Sequence, residues 1–139
     1  MGSWYWIGVC AGLGTAIGVL LAGLFAGTRI GLTAAVVLAA GAGILVGLGV
    51  GQWDEAIGGG AGGVLGALGA ARLVAGTLRR GGARFGTAVF MSFAAIGLAV
   101  LAWIPVVGYF EAALVPALAV RLQGRVAERY AGLRSLAKD

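Results

Sequence analysis

The chain has 139 residues, of which 60% are hydrophobic and only 11% are charged. Soluble domains carry about 25% charged residues, and a chain of this length cannot bury so much apolar surface in one core. The composition therefore excludes a soluble enzyme and predicts an integral membrane protein.

Missing residue types exclude several kinds of site. The sequence has no His and a single Cys, Cys10, so imidazole ligands, thiolate metal sites and an internal disulfide are not available. Its five acidic residues are too few for a dedicated calcium site. We therefore expect no metal, no cofactor and no catalytic residues, and we do not expect an enzyme.

Five apolar segments follow one another, separated by short stretches with polar or charged residues. They are residues 4–27, 30–51, 56–78, 85–104 and 106–122. A helix of about 20 apolar residues crosses the roughly 30 Å hydrocarbon layer of a bilayer. The sequence predicts an all-α polytopic membrane bundle, with four transmembrane helices and a short fifth helix that spans or re-enters. The transmembrane domain would cover residues 1–122, and a basic amphipathic tail would cover residues 123–139.

Small residues recur at every fourth position in the first three segments and form GxxxG patterns. Positions four apart lie on one helix face, where glycine lets two backbones approach closely. The stripes include Gly14, Gly18, Gly43, Gly47, Gly58, Gly62 and Gly66. Two interpretations stay open: the stripes pack the helices of one chain, or they also join copies into a homo-oligomer.

A short acidic stretch, Gln52-Trp53-Asp54-Glu55, is predicted as the loop between the second and third segments. Asp54 and Glu55 stand before the third helix, where carboxylates favour the helix dipole and cap free N–H groups. Trp53 is typical of the aromatic belt at a membrane interface. Capping and anchoring explain the stretch, and the alternative is a mouth that attracts cations.

The third segment contains one basic residue, Arg72, seven positions before Arg79. Seven residues of helix correspond to about 10 Å, a distance that a long side chain can largely cover by snorkelling to the interface. The alternative is that Arg72 binds an anion or a lipid headgroup. Direct pairing with Glu111 is not expected, because the two residues fall near opposite ends of their helices.

The first, second and fourth segments carry no charged residue, and their interior polar side chains are Cys10 and a few hydroxyls. These hydroxyls belong to Thr15, Thr33, Thr87 and Ser92. They could line a path for a small solute, but in membrane helices such groups more often bond a neighbouring helix or the carbonyl four residues back.

Glu111 is the only acidic residue within an apolar segment, in the fifth one. It stands between Gly108 and Pro116, which predicts a broken helix with a polar spot at membrane depth. A charged group at such a depth is a candidate for ion or solute binding. The alternative is a solvated carboxylate at the interface beside Tyr109 and Phe110.

The C-terminal tail is predicted to form a basic amphipathic helix over residues 118–136. Arg121, Arg125 and Arg129 flank its apolar face, and such a helix attracts anionic lipid headgroups at the inner leaflet. The alternatives are a plain topology anchor or a docking site for a partner protein. Nucleic-acid binding is not expected, because these basic residues lie where the positive-inside rule already places them.

The distribution of charge predicts the orientation of the chain. If the fifth segment crosses or dips, all ten basic residues face one side, which the positive-inside rule makes cytoplasmic. We therefore predict an external N-terminus and a cytoplasmic C-terminus, in a bacterial cytoplasmic membrane. The predicted function is a passive pore or small transporter for an ion or small solute, working as a homo-oligomer. The alternative is a non-transporting membrane subunit or scaffold that binds a partner protein or anionic lipid.

Overall fold

The computed structural model describes the backbone of residues 3–136 and the side chains of residues 4–104 and 106–122. The described chain forms five α-helices. They are α1 (Ser3–Phe25), α2 (Arg29–Val50), α3 (Trp53–Arg79), α4 (Arg84–Leu101) and α5 (Pro105–Leu136). The first four are long and apolar enough to cross a membrane by length and composition, as the sequence predicts.

Successive helices run in alternating directions. Gly62 of α3 lies against Ala11 of α1 and Gly66 lies against Thr15, so α1 and α3 are parallel. Gly47 near the end of α2 lies against Ala56 near the start of α3, so these two helices are antiparallel. The bundle therefore has an acidic end, which contains the starts of α1, α3 and α5, and an opposite, basic end.

The charged residues separate between these two ends. Asp54, Glu55 and Glu111 follow shortly after the starts of α3 and α5, at or near the acidic end. The basic end collects the described basic residues at the other helix termini: Arg29, Arg79, Arg80 and Arg84. This separation agrees with the predicted clustering of the basic residues on one side. The assignment of that side to the cytoplasm stays a prediction.

Helix α1 lies at the centre and contacts each of the other four helices, whereas α2 contacts only α1 and α3 within the described residues. A cluster of buried side chains joins α1, α3 and α4 in the half nearer the basic end. Its members are Val19, Ala22, Ala26, Ala70, Ala71, Val74, Met91 and Ala95. Most of them are small, so the helices approach closely and the core contains few large side chains.

Each of the seven glycines in the predicted stripes faces a neighbouring helix of the same chain. A Cβ atom added to Gly62 would overlap the backbone of Ala11, and one added to Gly43 would overlap the backbone of Gly59. Elsewhere on α2, by contrast, Gly41 and Gly49 have no neighbouring atom where a Cβ would lie. The stripe positions therefore lie at close helix approaches, as some other glycines such as Gly59 and Gly108 also do, whereas Gly41 and Gly49 do not.

The predicted start of the third helix, at residue 56, is wrong by one turn. Helix α3 begins at Trp53, so most of the predicted loop is its first turn. Glu55 explains the early start, because its carboxylate Oε2 accepts a hydrogen bond of 2.8 Å from the backbone N–H of Gln52. A carboxylate that bonds back to a free N–H in this way fixes the first turn of a helix.

The predicted fifth segment and the predicted helix of the tail form one continuous helix, which is not broken at Pro116. Helix α5 is continuous from Pro105 to Leu136, with Pro116 inside it. It runs alongside the bundle, from Gly108 beside Gly8 to Pro116 beside Gly69. Because Gly69 has no side chain, α3 leaves room for the proline ring.

The predicted contacts of the tail fall largely outside what the structure describes. The backbone of the tail is helical as far as Leu136, and Arg121 is exposed. The side chains of Arg125 and Arg129, and with them the predicted amphipathic face, lie outside the described residues.

Candidate functional site

The carboxylate of Glu111 is buried where α5 meets α1 and the end of α4. Glu111 is only 5% exposed, and neither of its carboxylate oxygens has a hydrogen-bond partner among the described residues. Buried polar groups are normally hydrogen-bonded, so an unpartnered buried carboxylate needs an explanation. The side chain is therefore buried in the bundle and not exposed beside Tyr109 and Phe110, as the alternative expected.

Small residues create the space in which this carboxylate lies. A Cβ atom at Gly12 would stand 3.0 Å from Glu111 Oε2, 2.9 Å from the Cα of Gly108 and 2.6 Å from the Cβ of Ala102. Gly108 in turn lies against the carbonyl of Gly8. Three parts of the chain therefore meet closely at small residues here, and no described group donates a hydrogen bond to the Glu111 carboxylate.

A contact between aromatic residues holds the start of α5 against the start of α1 beside this site. The hydroxyl of Tyr109 donates a hydrogen bond of 2.8 Å to the backbone carbonyl of Trp4. The two rings also meet edge to face, with centroids 6.5 Å apart. Trp53 and Trp103 are exposed at the same end of the bundle, so aromatic side chains surround the acidic end.

The other two acidic residues that the sequence singles out behave differently from Glu111. Glu55 is also buried, at 6% exposure, but its carboxylate is occupied by the N–H of Gln52. Asp54 is exposed in the same turn. The structure therefore gives Glu55 a capping contact and leaves Glu111 as the buried carboxylate without a described partner.

The hydroxyl groups inside the apolar helices are engaged locally. Each one donates a hydrogen bond to the carbonyl four residues earlier in its own helix. The bonds are Thr15 to Ala11 (2.8 Å), Thr33 to Arg29 (3.2 Å), Thr87 to Ala83 (3.0 Å) and Ser92 to Ala88 (2.9 Å). This geometry favours a role of these hydroxyls in bonding their own helices over a role in lining a polar path for a solute.

A cavity of about 1000 Å³ opens at the basic end between the α1–α2 turn, the last turns of α3 and Leu122 of α5. Four arginines line it: Arg29, Arg72, Arg79 and Arg80. Arg72 is exposed and lies toward the opposite end of the bundle from Glu111, as expected. The sequence predicts these arginines on one side of the membrane. It does not predict the cavity that they line, because the cavity depends on how α1, α2 and α3 pack together.

Comparison of the chain with protein-family models, curated proteins and solved structures finds no match.

Proposed function

We propose that the chain is an integral membrane protein, with α1 to α4 crossing the bilayer and α5 as a fifth crossing. Large apolar side chains are exposed along the outer helices, for example Leu45 on α2 and Phe93 on α4, where lipid would cover them. The aromatic residues at the acidic end and the arginines at the basic end fit the two interfaces of a bilayer. With the basic end in the cytoplasm, the N-terminus is external and the protein belongs to a bacterial cytoplasmic membrane.

The glycine stripes act in this proposal as helix-packing surfaces within one chain. Apolar side chains gain little by leaving lipid for one another, so close backbone contact is the main attraction between transmembrane helices. The overlaps expected for a Cβ atom at Gly62 or Gly43 support this role. The homo-oligomer that we expect would then form through other surfaces of the bundle.

The function that the geometry supports best is the non-enzymatic passage of a cation, a proton included, with Glu111 as the group that binds it. The observation that carries this proposal is the burial of Glu111 with both carboxylate oxygens unpartnered. A lone carboxylate in an apolar site costs several kcal/mol, and a bound cation or proton removes that cost. Ionisable groups inside membrane helices typically mark ion pathways for this reason.

A path would lie where α5 meets α1 at Glu111, and not in the contact between α1 and α3. Backbone atoms fill the contact between α1 and α3, as the overlap expected at Gly62 indicates, and they also meet where Gly108 lies against Gly8, so α5 would have to move away from α1 for a cation to pass. The hydroxyls of Thr15 and Thr87 are also bonded within their own helices. Glu111 is therefore the group around which the path is organised.

Flux through proteoliposomes tests this function. Purified protein is reconstituted and the uptake of protons, Na⁺, K⁺ and small neutral solutes is compared with that of protein-free vesicles. We expect flux of at least one cation, and we expect Glu111→Gln to abolish it while Asp54→Asn, an exposed carboxylate at the same end, retains it. Flux unchanged in Glu111→Gln would contradict the role of Glu111, and the absence of flux for every solute would favour a membrane scaffold.

A further inference from the structure

The cavity at the basic end combines positive charge with an apolar wall. Arg29, Arg79 and Arg80 are exposed around its opening, while Leu78 and Leu122 contribute apolar surface to its lining. None of the described lining residues is acidic. The three acidic residues with described side chains belong to the other half of the bundle, so they do not neutralise the cavity.

Three helix ends meet at the same site. Helix α2 begins at Arg29 with N–H groups of partial positive charge, and Thr28 caps one of them by accepting a hydrogen bond from the N–H of Gly31. Helices α1 and α3 end beside the cavity, at Phe25 and Arg79, with carbonyl groups of partial negative charge, so the guanidinium groups are what attracts an anion. Guanidinium groups match the oxygens of a phosphate or a carboxylate with two parallel hydrogen bonds, so the chemistry of the lining suits an oxyanion such as a phosphate group.

We propose that this cavity binds the phosphate headgroup of an anionic phospholipid. A volume of about 1000 Å³ is far larger than a phosphate ion requires, and the leucines of the lining offer contact to the upper acyl chains. Basic pockets between helices at the cytoplasmic interface bind such headgroups in other membrane proteins. The inference rests on insertion of the bundle in a membrane, but it is independent of Glu111 and of transport.

Titration of the full chain in detergent, followed by native mass spectrometry, tests this site. The probes are phosphatidylglycerol, phosphatidylcholine with the same acyl chains, and inorganic phosphate. The test variant Arg29→Gln/Arg79→Gln removes two lining charges. Its control, Arg84→Gln/Arg121→Gln, removes two exposed charges from the same half of the bundle that do not line the cavity, one of which, Arg84, lies against Gly27 at its edge.

We expect saturable binding of phosphatidylglycerol that weakens by about tenfold or more in the test variant and by less than about threefold in the control. The conservative variant Arg29→Lys/Arg79→Lys keeps both positive charges and should recover part of the affinity. Such recovery would show that the weaker binding of the test variant comes from loss of charge and not from misfolding. Equal weakening in both double variants would overturn the proposal in favour of general surface charge. Equal binding of phosphatidylcholine, or full competition by inorganic phosphate, would overturn the assignment to an anionic lipid.

Discussion

At the scale of single residues, Glu111 differs from Asp54 and Glu55, the other acidic residues with described side chains, because it is buried without a described partner. The sequence singled it out, since it is the only acid within an apolar segment. Its surroundings could not be predicted, because Gly12 and Ala102 come from two distant parts of the chain. The expected break at Pro116 was wrong: α5 continues through this residue, where it packs closely against Gly69 on α3.

Replacement of Glu111 by glutamine should stabilise the fold. The substitution keeps the shape of the side chain but removes a charge whose burial is not offset by described hydrogen bonds. At alkaline pH we expect the free energy of unfolding to rise by about 1–3 kcal/mol, measured by thermal unfolding in detergent. Asp54→Asn, at an exposed site, should change it by less than about 0.5 kcal/mol. A loss of stability in Glu111→Gln would show that the carboxylate has a partner.

At the scale of helices, apolar length predicted the number of helices and most of their ends. The errors occur where a local contact decides the boundary. Helix α3 begins at Trp53 because the Glu55 carboxylate accepts a hydrogen bond from the N–H of Gln52. Hydropathy alone does not predict such a hydrogen bond. The stripe positions were read from spacing alone, but the partner of each stripe depends on how α1, α2 and α3 are arranged around one another.

Replacing each of two glycines by alanine distinguishes the effect of helix packing on stability from the effect of helix propensity. Gly62→Ala and Gly41→Ala both replace a helical glycine, a change that favours the helix by about 0.5–1 kcal/mol when nothing else intervenes. At Gly62 the new methyl group meets the backbone of Ala11, so we expect a net loss of about 1–3 kcal/mol. At Gly41 it meets nothing, and we expect a small gain. The measurement is thermal unfolding in detergent, and equal melting of the two variants would contradict the packing role of Gly62.

At the scale of the whole molecule, the separation of charge is the property that the sequence predicted best. Alternating helix directions follow from short connections, and they place the described basic residues in one half of the bundle. The cavity lined by Arg29 and Arg79 could not be predicted, since it depends on the gap that the helices leave between them. The direction of insertion is not a property of the fold itself and needs a measurement in cells.

Accessibility of introduced cysteines tests that orientation. In a Cys10→Ala background, Asp54→Cys marks the acidic end and Ala83→Cys marks the basic end, and both positions are exposed. An impermeant thiol reagent should label position 54 in intact cells and should label position 83 only after the membrane is opened. Labelling of both positions in intact cells, or of position 83 alone, would contradict an external acidic end.

Infrared difference spectroscopy detects the uptake of a cation or proton by Glu111 inside the bundle. Spectra of the reconstituted protein are recorded between acidic and alkaline buffer, and with and without the cation found to be transported. We expect a change in a carboxyl C=O band that is present in the wild type and in Asp54→Asn but absent in Glu111→Gln. Identical difference spectra for the wild type and Glu111→Gln would assign every change to the other carboxylates and would contradict cation or proton binding at Glu111.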